Sequence, residues 1–156
     1  MNRYTSDRKA PYTDAAADGY RFYFAAPRYI ADLYANTEGS PLFCRSCRNG
    51  HISDLVPTEV IRRDKIYQCN APHIEKWLAA ARAIRRIERE QGGADKLRIL
   101  RAAYATPGGG VTERVRRAAL MVPAEERTAW RWINHACELW AVERGLESPG
   151  QKRART

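Results

Sequence analysis

The sequence predicts a mainly α-helical protein that carries one small module of β-strands and bound zinc. Apolar residues recur every three to four positions through most of residues 71–144, which is the spacing of amphipathic helices. Residues 44–73 instead hold cysteines and histidines at the spacing of metal ligands. The predicted division is a flexible N-terminal arm (1–19), an aromatic-rich segment with the zinc module (20–73), a helical domain (74–145) and a basic tail (146–156).

The length and composition suit a soluble globular protein. A chain of 156 residues fits one domain or two very small ones, and 44% of it is apolar against 29% charged. No apolar run approaches the roughly 18 residues that a membrane span requires. The first residues carry charges without an apolar stretch behind them, so no signal peptide is expected. These features predict a cytoplasmic protein.

Positive charge is concentrated in the C-terminal half. Residues 74–156 hold 17 basic and 10 acidic residues, a net +7, and residues 1–73 hold 10 and 8, a net +2, which together give the +9 of the chain. Most of the basic residues there are arginines, which suit phosphate and guanine contacts better than lysines do. This concentration of positive charge in the C-terminal half predicts a polyanionic partner such as a nucleic acid. A solvated, arginine-rich helical surface would show the same composition.

Two elements are predicted ahead of the cysteines. Aromatic residues alternate along YRFYFA, so Tyr20–Ala25 is predicted as a strand. Pro27 is followed by an apolar stripe at helical spacing, which predicts a short helix over residues 28–36. Gly39 would end that helix.

A structural zinc site is predicted from Cys44, Cys47, Cys69 and His73. A C-x2-C pair followed by a second pair at C-x3-H spacing supplies the four nitrogen and sulfur ligands that zinc prefers. His51, four residues after Cys47, is the alternative fourth ligand. A disulfide is not expected in a cytoplasmic chain. Four protein ligands leave no position for a catalytic water, so the metal would be structural.

The two ligand pairs frame a predicted β-hairpin. Glu59–Arg62 and Lys65–Gln68 are predicted as its strands, and Asn49-Gly50 favours a tight turn after the first cysteine pair. The second ligand pair falls at the start of a predicted helix. This order of knuckle, hairpin and helix resembles the treble-clef zinc fingers, although His73 replaces the more common fourth cysteine. The resemblance implies a small module that braces the chain or binds a second partner.

Four helices are predicted after the zinc module. Their predicted ranges are 71–91, 94–105, 112–122 and about 124–144. Asn70 and Pro72 are favourable at the start of the first helix, and Thr112 can cap the third. Glycine-rich breaks and Pro123 separate the helices from one another.

The segment ALMVPAEERTAWRWINHA is similar to a helix-turn-helix unit. Its polar positions match at Thr128 and Arg131, although Pro123 replaces the usual turn glycine and Glu125 replaces a Ser or Thr cap. The matching small and apolar positions are Ala119, Val122, Ala124, Ala129 and Ile133. With the preceding helix and glycine-rich gap, residues 74–145 resemble sigma-factor region-4 domains and the bacteriophage regulators of late transcription that share this arrangement. The resemblance implies transcription regulation, including antitermination, with RNA polymerase as a second partner.

The last predicted helix is the candidate reader of the DNA major groove. Its candidate base contacts are Arg127, Thr128 and Arg131, which fall within its first turns. The candidate phosphate contacts on the preceding helix are Arg114, Arg116 and Arg117.

The opposite face of the same helix is predicted to be buried. Its residues are Trp130, Ile133, Cys137 and Trp140, which follow helical spacing. Cys137 is therefore predicted to be a small core residue and not a metal ligand. Trp132 lies off this face and has no assigned role, and His135 is predicted to be a polar surface residue.

The functional hypothesis is a zinc-stabilised DNA-binding transcription regulator from a phage or mobile element, and not an enzyme. No set of nucleophile and base is spaced for catalysis, and Gly108–Gly110 lacks the lysine of a phosphate-binding loop. One alternative is an adaptor or inhibitor whose basic surface binds an acidic protein. Another is an accessory factor for DNA packaging or recombination.

Overall fold

The computed structural model describes residues 10–38, 52–106 and 110–146. Regular secondary structure in these ranges is entirely helical, which confirms the prediction of a mainly α-helical protein. The six helices are α1 (Thr13–Ala25), α2 (Tyr29–Glu38), α3 (Ile52–Glu88), α4 (Gly93–Tyr104), α5 (Val111–Met121) and α6 (Glu126–Glu143). No helix among the described residues is long and apolar enough to cross a membrane.

The chain divides into two compact units. Helix α3 begins in one of them and ends in the other. One unit comprises Met1–Ala25 and Lys76–Thr156, and the other comprises Ala26–Glu75. In the first, α4, α5 and α6 pack against one another, and α1 packs on α4 and α6. In the second, the guanidinium carbon of Arg63 lies 5.6 Å from the ring centre of Tyr34, close enough for a cation–π contact between α3 and α2.

The core of the first unit consists largely of small side chains with a few larger ones between them. Six of its buried alanines, each at most 2% exposed, are Ala79, Ala80, Ala83, Ala103, Ala129 and Ala136. The largest fully buried side chains include Tyr20, Ile99 and Leu100. Alanine lets helix backbones approach closely, and the larger side chains supply most of the apolar area removed from water.

Helices α4, α5 and α6 begin and end close to their predicted positions. Gly92 precedes α4 with φ of 70°, and Gly145 follows α6 with φ of 73°, a backbone region that favours glycine. α5 starts at Val111 with Gly110 at its N-cap, so the predicted cap Thr112 lies inside the helix. The helix predicted over residues 28–36 is also confirmed, as α2.

The prediction of a strand at Tyr20–Ala25 is wrong, because these residues form the second half of α1. The buried residues Ala16 and Tyr20 are four positions apart, as on one face of a helix. The Tyr20 hydroxyl donates a hydrogen bond to the Ala136 carbonyl of α6. The predicted flexible arm is likewise wrong over residues 13–19, which are helical, while residues 1–9 lie outside the described ranges.

The predicted strands Glu59–Arg62 and Lys65–Gln68 are also wrong, because both segments lie within α3. This helix begins at Ile52 and not at Ala71. The Asn70 side chain, predicted as an N-cap, instead donates to the Ile66 carbonyl one turn earlier, at 3.0 Å. Four-residue segments are too short for their side-chain pattern to distinguish strand from helix.

We expect Gly19→Ala to destabilise the first unit. A Cβ at residue 19 would lie 2.8 Å from Cε2 of Trp140, whose side chain is only 3% exposed and cannot move away freely. The clash should cost about 1–3 kcal/mol, more than the gain in helix propensity of about 1 kcal/mol. The measurement is the free energy of unfolding in urea.

Gly110→Ala is the matched control, because a Cβ there meets nothing within 4 Å and φ is −74°. Its free energy of unfolding should stay within about 0.5 kcal/mol of the wild type, because the poorer N-cap is offset by the smaller conformational freedom of the unfolded chain. Equal stability of the two alanine variants would contradict the close Gly19–Trp140 contact.

Candidate nucleic-acid interface

Helix α6 has one face in the core of the first unit. Its fully buried residues are Ala129, Ile133, Ala136, Cys137, Trp140 and Ala141. The predicted buried face is therefore confirmed at Ile133, Cys137 and Trp140, and Trp130 is half-buried against it. Cys137 is 1% exposed, as expected of a core residue, and burial raises the pKa of its thiol to about 11. Trp132, which had no assigned role, packs at the edge of the same core.

The opposite face of α6 presents polar side chains to solvent. Arg127 and Arg131, both predicted as base contacts, are exposed and one turn apart. Asn134 is exposed at the next position of this stripe and was not predicted, although its i+7 spacing from Arg127 is visible in the sequence. None of the three has a hydrogen-bond or ion-pair partner among the described residues. Thr128, the third predicted base contact, is half-buried beside this face.

The predicted phosphate contacts on α5 have different surroundings. Arg116 lies 3.8 Å from Glu113 and 3.6 Å from Glu126, and Arg117 lies 3.1 Å from Glu113. These pairs are exposed, so each contributes little to stability and can exchange for a phosphate. Arg114 is half-buried, and its guanidinium donates to the carbonyls of Ala102 and Ala103 at 3.0 and 2.9 Å. The structure therefore gives Arg114 a role in capping the end of α4.

The connection between α5 and α6 is four residues long, from Val122 to Glu125. Val122 is extended (φ −106°, ψ 131°) and 1% exposed, so it anchors the connection in the core. Glu125 occupies the N-cap position of α6 without a capping hydrogen bond from its side chain. In the described part of the chain only glycines have positive φ, so the connection contains no left-handed residue. Pro123, with its fixed negative φ, is compatible with such a turn.

A cluster of three charged or polar side chains holds the middle of α6 in place. The Glu90 carboxylate lies 2.7 Å from Nε2 of His135 and 2.9 Å from Nζ of Lys96. Burial acts to raise the pKa of Glu90, but the hydrogen bonds from His135 and Lys96 outweigh it, so the pKa is lowered. Because Glu90 lies in the turn after α3 and Lys96 lies in α4, the cluster joins this turn and α4 to α6. The predicted polar residue His135 thus has a structural partner that its sequence position did not reveal.

Two of the predicted zinc ligands lie on α3. Cys69 and His73 are both exposed and are four residues apart in a continuous helix, so they share one face. A thiolate and an imidazole at this spacing fit two positions of a zinc tetrahedron. The other candidates, Cys44, Cys47 and His51, lie outside the described residues. Within the described ranges, no group of three or more potential metal ligands is present.

In comparisons with known proteins, no protein-family profile, no curated protein and no solved structure matches this chain. The assignment of function therefore depends on the charges and contacts of the α5–α6 region.

We expect Glu90→Gln to reduce stability at neutral pH and to have less effect in acid. A group whose pKa is lowered by folding stabilises the protein above its ordinary pKa of about 4.3, and that contribution is lost as the pH falls through the folded value. Urea unfolding at pH 7 should therefore show a deficit of about 1 kcal/mol for the variant. The deficit should shrink as the pH falls below about 4.

Glu88→Gln provides the control, because Glu88 is exposed and has no ion pair with the described residues. It should unfold like the wild type at both pH values. A deficit of Glu90→Gln that persisted unchanged at pH 3 would show that the carboxylate charge is not what stabilises the cluster.

Proposed function

We propose that the chain is a DNA-binding transcription regulator that places α6 in the major groove of double-stranded DNA. The observation that supports this most directly is the exposed stripe of Arg127, Arg131 and Asn134, which has no partner among the described residues. Arginine pairs with guanine and asparagine with adenine through two hydrogen bonds each. Solvated polar residues of this kind on a rigid helix suit the reading of base edges.

The dimensions of the region agree with this role. α6 contains 18 residues and is about 27 Å long at 1.5 Å per residue, and an α-helix fits the width of the major groove. Arg127 is the second residue of α6, which is the end that reaches the base edges in a helix-turn-helix unit. Of the small and apolar positions of the resemblance to such a unit, Ala119, Val122, Ala129 and Ile133 are buried, and Ala124 is half-buried. In this arrangement α4 and α5 would be the two helices that support α6, the helix placed in the major groove.

The phosphate contacts would come from the helices around α6. Arg116 and Arg117 lie on α5 in exposed ion pairs that a phosphate can replace. Further exposed arginines without ion pairs to the described residues are Arg82, Arg85, Arg89, Arg98 and Arg101. When such charges bind phosphates, counterions are released from the DNA. The affinity for DNA should therefore fall steeply as the salt concentration rises.

We further propose that zinc stabilises the second unit. Cys44, Cys47 and Cys69 would supply thiolates, and His73 or His51 would supply the fourth ligand. The exposed pair on α3 would anchor one half of the site, and the C-x2-C pair would supply the other half. The metal would connect chain segments that are distant in sequence. The likeness to phage regulators of late transcription suggests RNA polymerase as a protein partner. The protein would act in the cytoplasm.

We expect Arg127→Ala combined with Arg131→Ala to abolish sequence preference for duplex DNA. Losing two bidentate base contacts should weaken binding to a selected site by about 2–6 kcal/mol, at 1–3 kcal/mol each. The site is first selected from a random duplex library with the zinc-loaded protein. Affinities for that site and for unrelated DNA are then compared at several salt concentrations.

Arg98→Ala combined with Arg101→Ala is the matched control, because it removes the same charge from α4. This variant should weaken specific and non-specific DNA binding equally and make the affinity for DNA less dependent on salt concentration. Its preference for the selected site should be preserved. If the α6 variant kept its sequence preference, or if the wild type bound no duplex DNA, the proposal would be wrong.

The zinc proposal predicts about one zinc ion per purified chain. Cys69→Ser and His73→Asn should each lower the zinc content measured by mass spectrometry, since each removes a ligand. His135→Asn is the control and should leave the content unchanged, because His135 is engaged by Glu90. A metal-free wild-type protein with full thermal stability would exclude the site. If the His73→Asn variant kept its zinc and the Cys69→Ser variant lost it, the fourth ligand would be assigned to His51.

A further inference from the structure

Two adjacent apolar side chains at the end of α5 are far more exposed than any other large hydrophobic residue whose side-chain burial the structure describes. Leu120 is 84% exposed and Met121 is 78% exposed. The next in order, Ile61, is 55% exposed. Single exposed hydrophobic residues are ordinary on protein surfaces, whereas two neighbours held almost fully in water form an apolar patch, a feature that is often functional.

The outward position of this pair follows from the packing beside it. Val122 is 1% exposed, and its N–H donates to the Ala118 carbonyl at 3.1 Å, so the helix remains regular up to its last turn. Ala119 is also buried, at 6%. Because both flanking residues are held in the core, Leu120 and Met121 cannot turn inward without unwinding the end of α5.

The rim of this apolar pair carries charges of both signs. Arg116 and Arg117 lie one helical turn before Leu120 and Met121, on the same side of α5. Glu113 and Glu126 lie within 4 Å of these arginines. The apolar pair is therefore flanked by one cluster of two positive and two negative groups, which is called its rim.

This pattern is self-complementary. An acidic protein would bring negative groups against the two rim glutamates. DNA phosphates would pair with the two arginines but would leave Leu120 and Met121 without an apolar partner. A second copy related by a two-fold axis would instead place arginines of each chain against glutamates of the other, with the apolar pairs in contact at the centre. Charge complementarity therefore favours a second copy of this chain as the occupant.

We propose that the protein self-associates through this patch, defined as Leu120 and Met121 with the rim Glu113, Arg116, Arg117 and Glu126. Two apolar side chains and four charges fall short of the roughly 800 Å² per partner of a standard interface. The dimer is therefore weak and forms only at high protein concentration. Arg116 and Arg117 are also the proposed phosphate contacts, so DNA and a second copy would compete for them. Association is measured without DNA, so its failure is distinguishable from a failure of DNA binding.

The first test is sedimentation equilibrium of the full-length, zinc-loaded chain at increasing concentration. Leu120→Ser with Met121→Ser should weaken association at least tenfold while leaving the circular dichroism spectrum and melting temperature unchanged. Val142→Ser with Leu146→Ser is the matched control, because these two residues are 40% and 43% exposed and lie away from the patch. It should associate like the wild type. A wild-type protein that stays monomeric at several hundred micromolar, or a serine pair without effect, would overturn the proposal.

The second test uses charge exchange. One variant carries Arg116→Glu and Arg117→Glu, so its rim is wholly negative, and another carries Glu113→Arg and Glu126→Arg, so its rim is wholly positive. Each alone should be monomeric, because like charges would meet across the two-fold axis. An equimolar mixture should form a heterodimer at least as tight as the wild-type dimer at low salt. Absence of that heterodimer, with both variants folded, would contradict the two-fold arrangement and leave a different protein or DNA as the occupant.

Discussion

Trp140 makes the contacts on which the arrangement of the helical unit depends. Its indole N–H donates to the Lys76 carbonyl at 3.2 Å, and its ring lies so close to Gly19 that no Cβ would fit between them. These contacts join α6 to α3 and α1 at one place, so they determine the rotation of α6 about its own axis. That rotation turns Arg127 and Arg131 into solvent. The proposed DNA-reading face is thus a consequence of packing on the other side of the same helix.

Aromatic residues fill the space where the small core residues leave room. The rings of Tyr20 and Tyr104 are stacked with centres 6.0 Å apart, and the guanidinium of Arg21 lies 5.5 Å from the Tyr104 ring centre. The ring of Tyr23 lies 5.1 Å from that of Trp77. α1 therefore contributes aromatic side chains to the first unit, although at least 50 residues separate it in sequence from the rest of that unit, which resumes at Lys76. A core of this kind tolerates little change in volume, because each small residue sets a distance between two helices.

The arginines of α5 and α6 show how one residue type acquires different roles from its surroundings. Arg114 is half-buried and completes the end of α4 by donating to backbone carbonyls. Arg116 and Arg117 share glutamates across exposed ion pairs. Arg127 has no ion pair with the described residues, which leaves its donors in water and available to a ligand. In the net charge these residues count equally. Their contacts give Arg114 a structural role, place Arg116 and Arg117 in ion pairs that can exchange, and leave Arg127 unpaired among the described residues.

The sequence alone determined the helices from Gly93 to Glu143, because their apolar residues repeat over several turns and their ends carry strong local signals. It also determined that Cys137 lies in the core. Only the tertiary structure decided the conformation of Tyr20–Ala25, since a six-residue aromatic segment has both periodicities and the surface available for burial selects between them. The same holds for the long continuous helix α3 and for the partners of Arg114 and His135. A hydrogen-bond partner that is distant in sequence leaves no periodic signal, so only the folded chain reveals it.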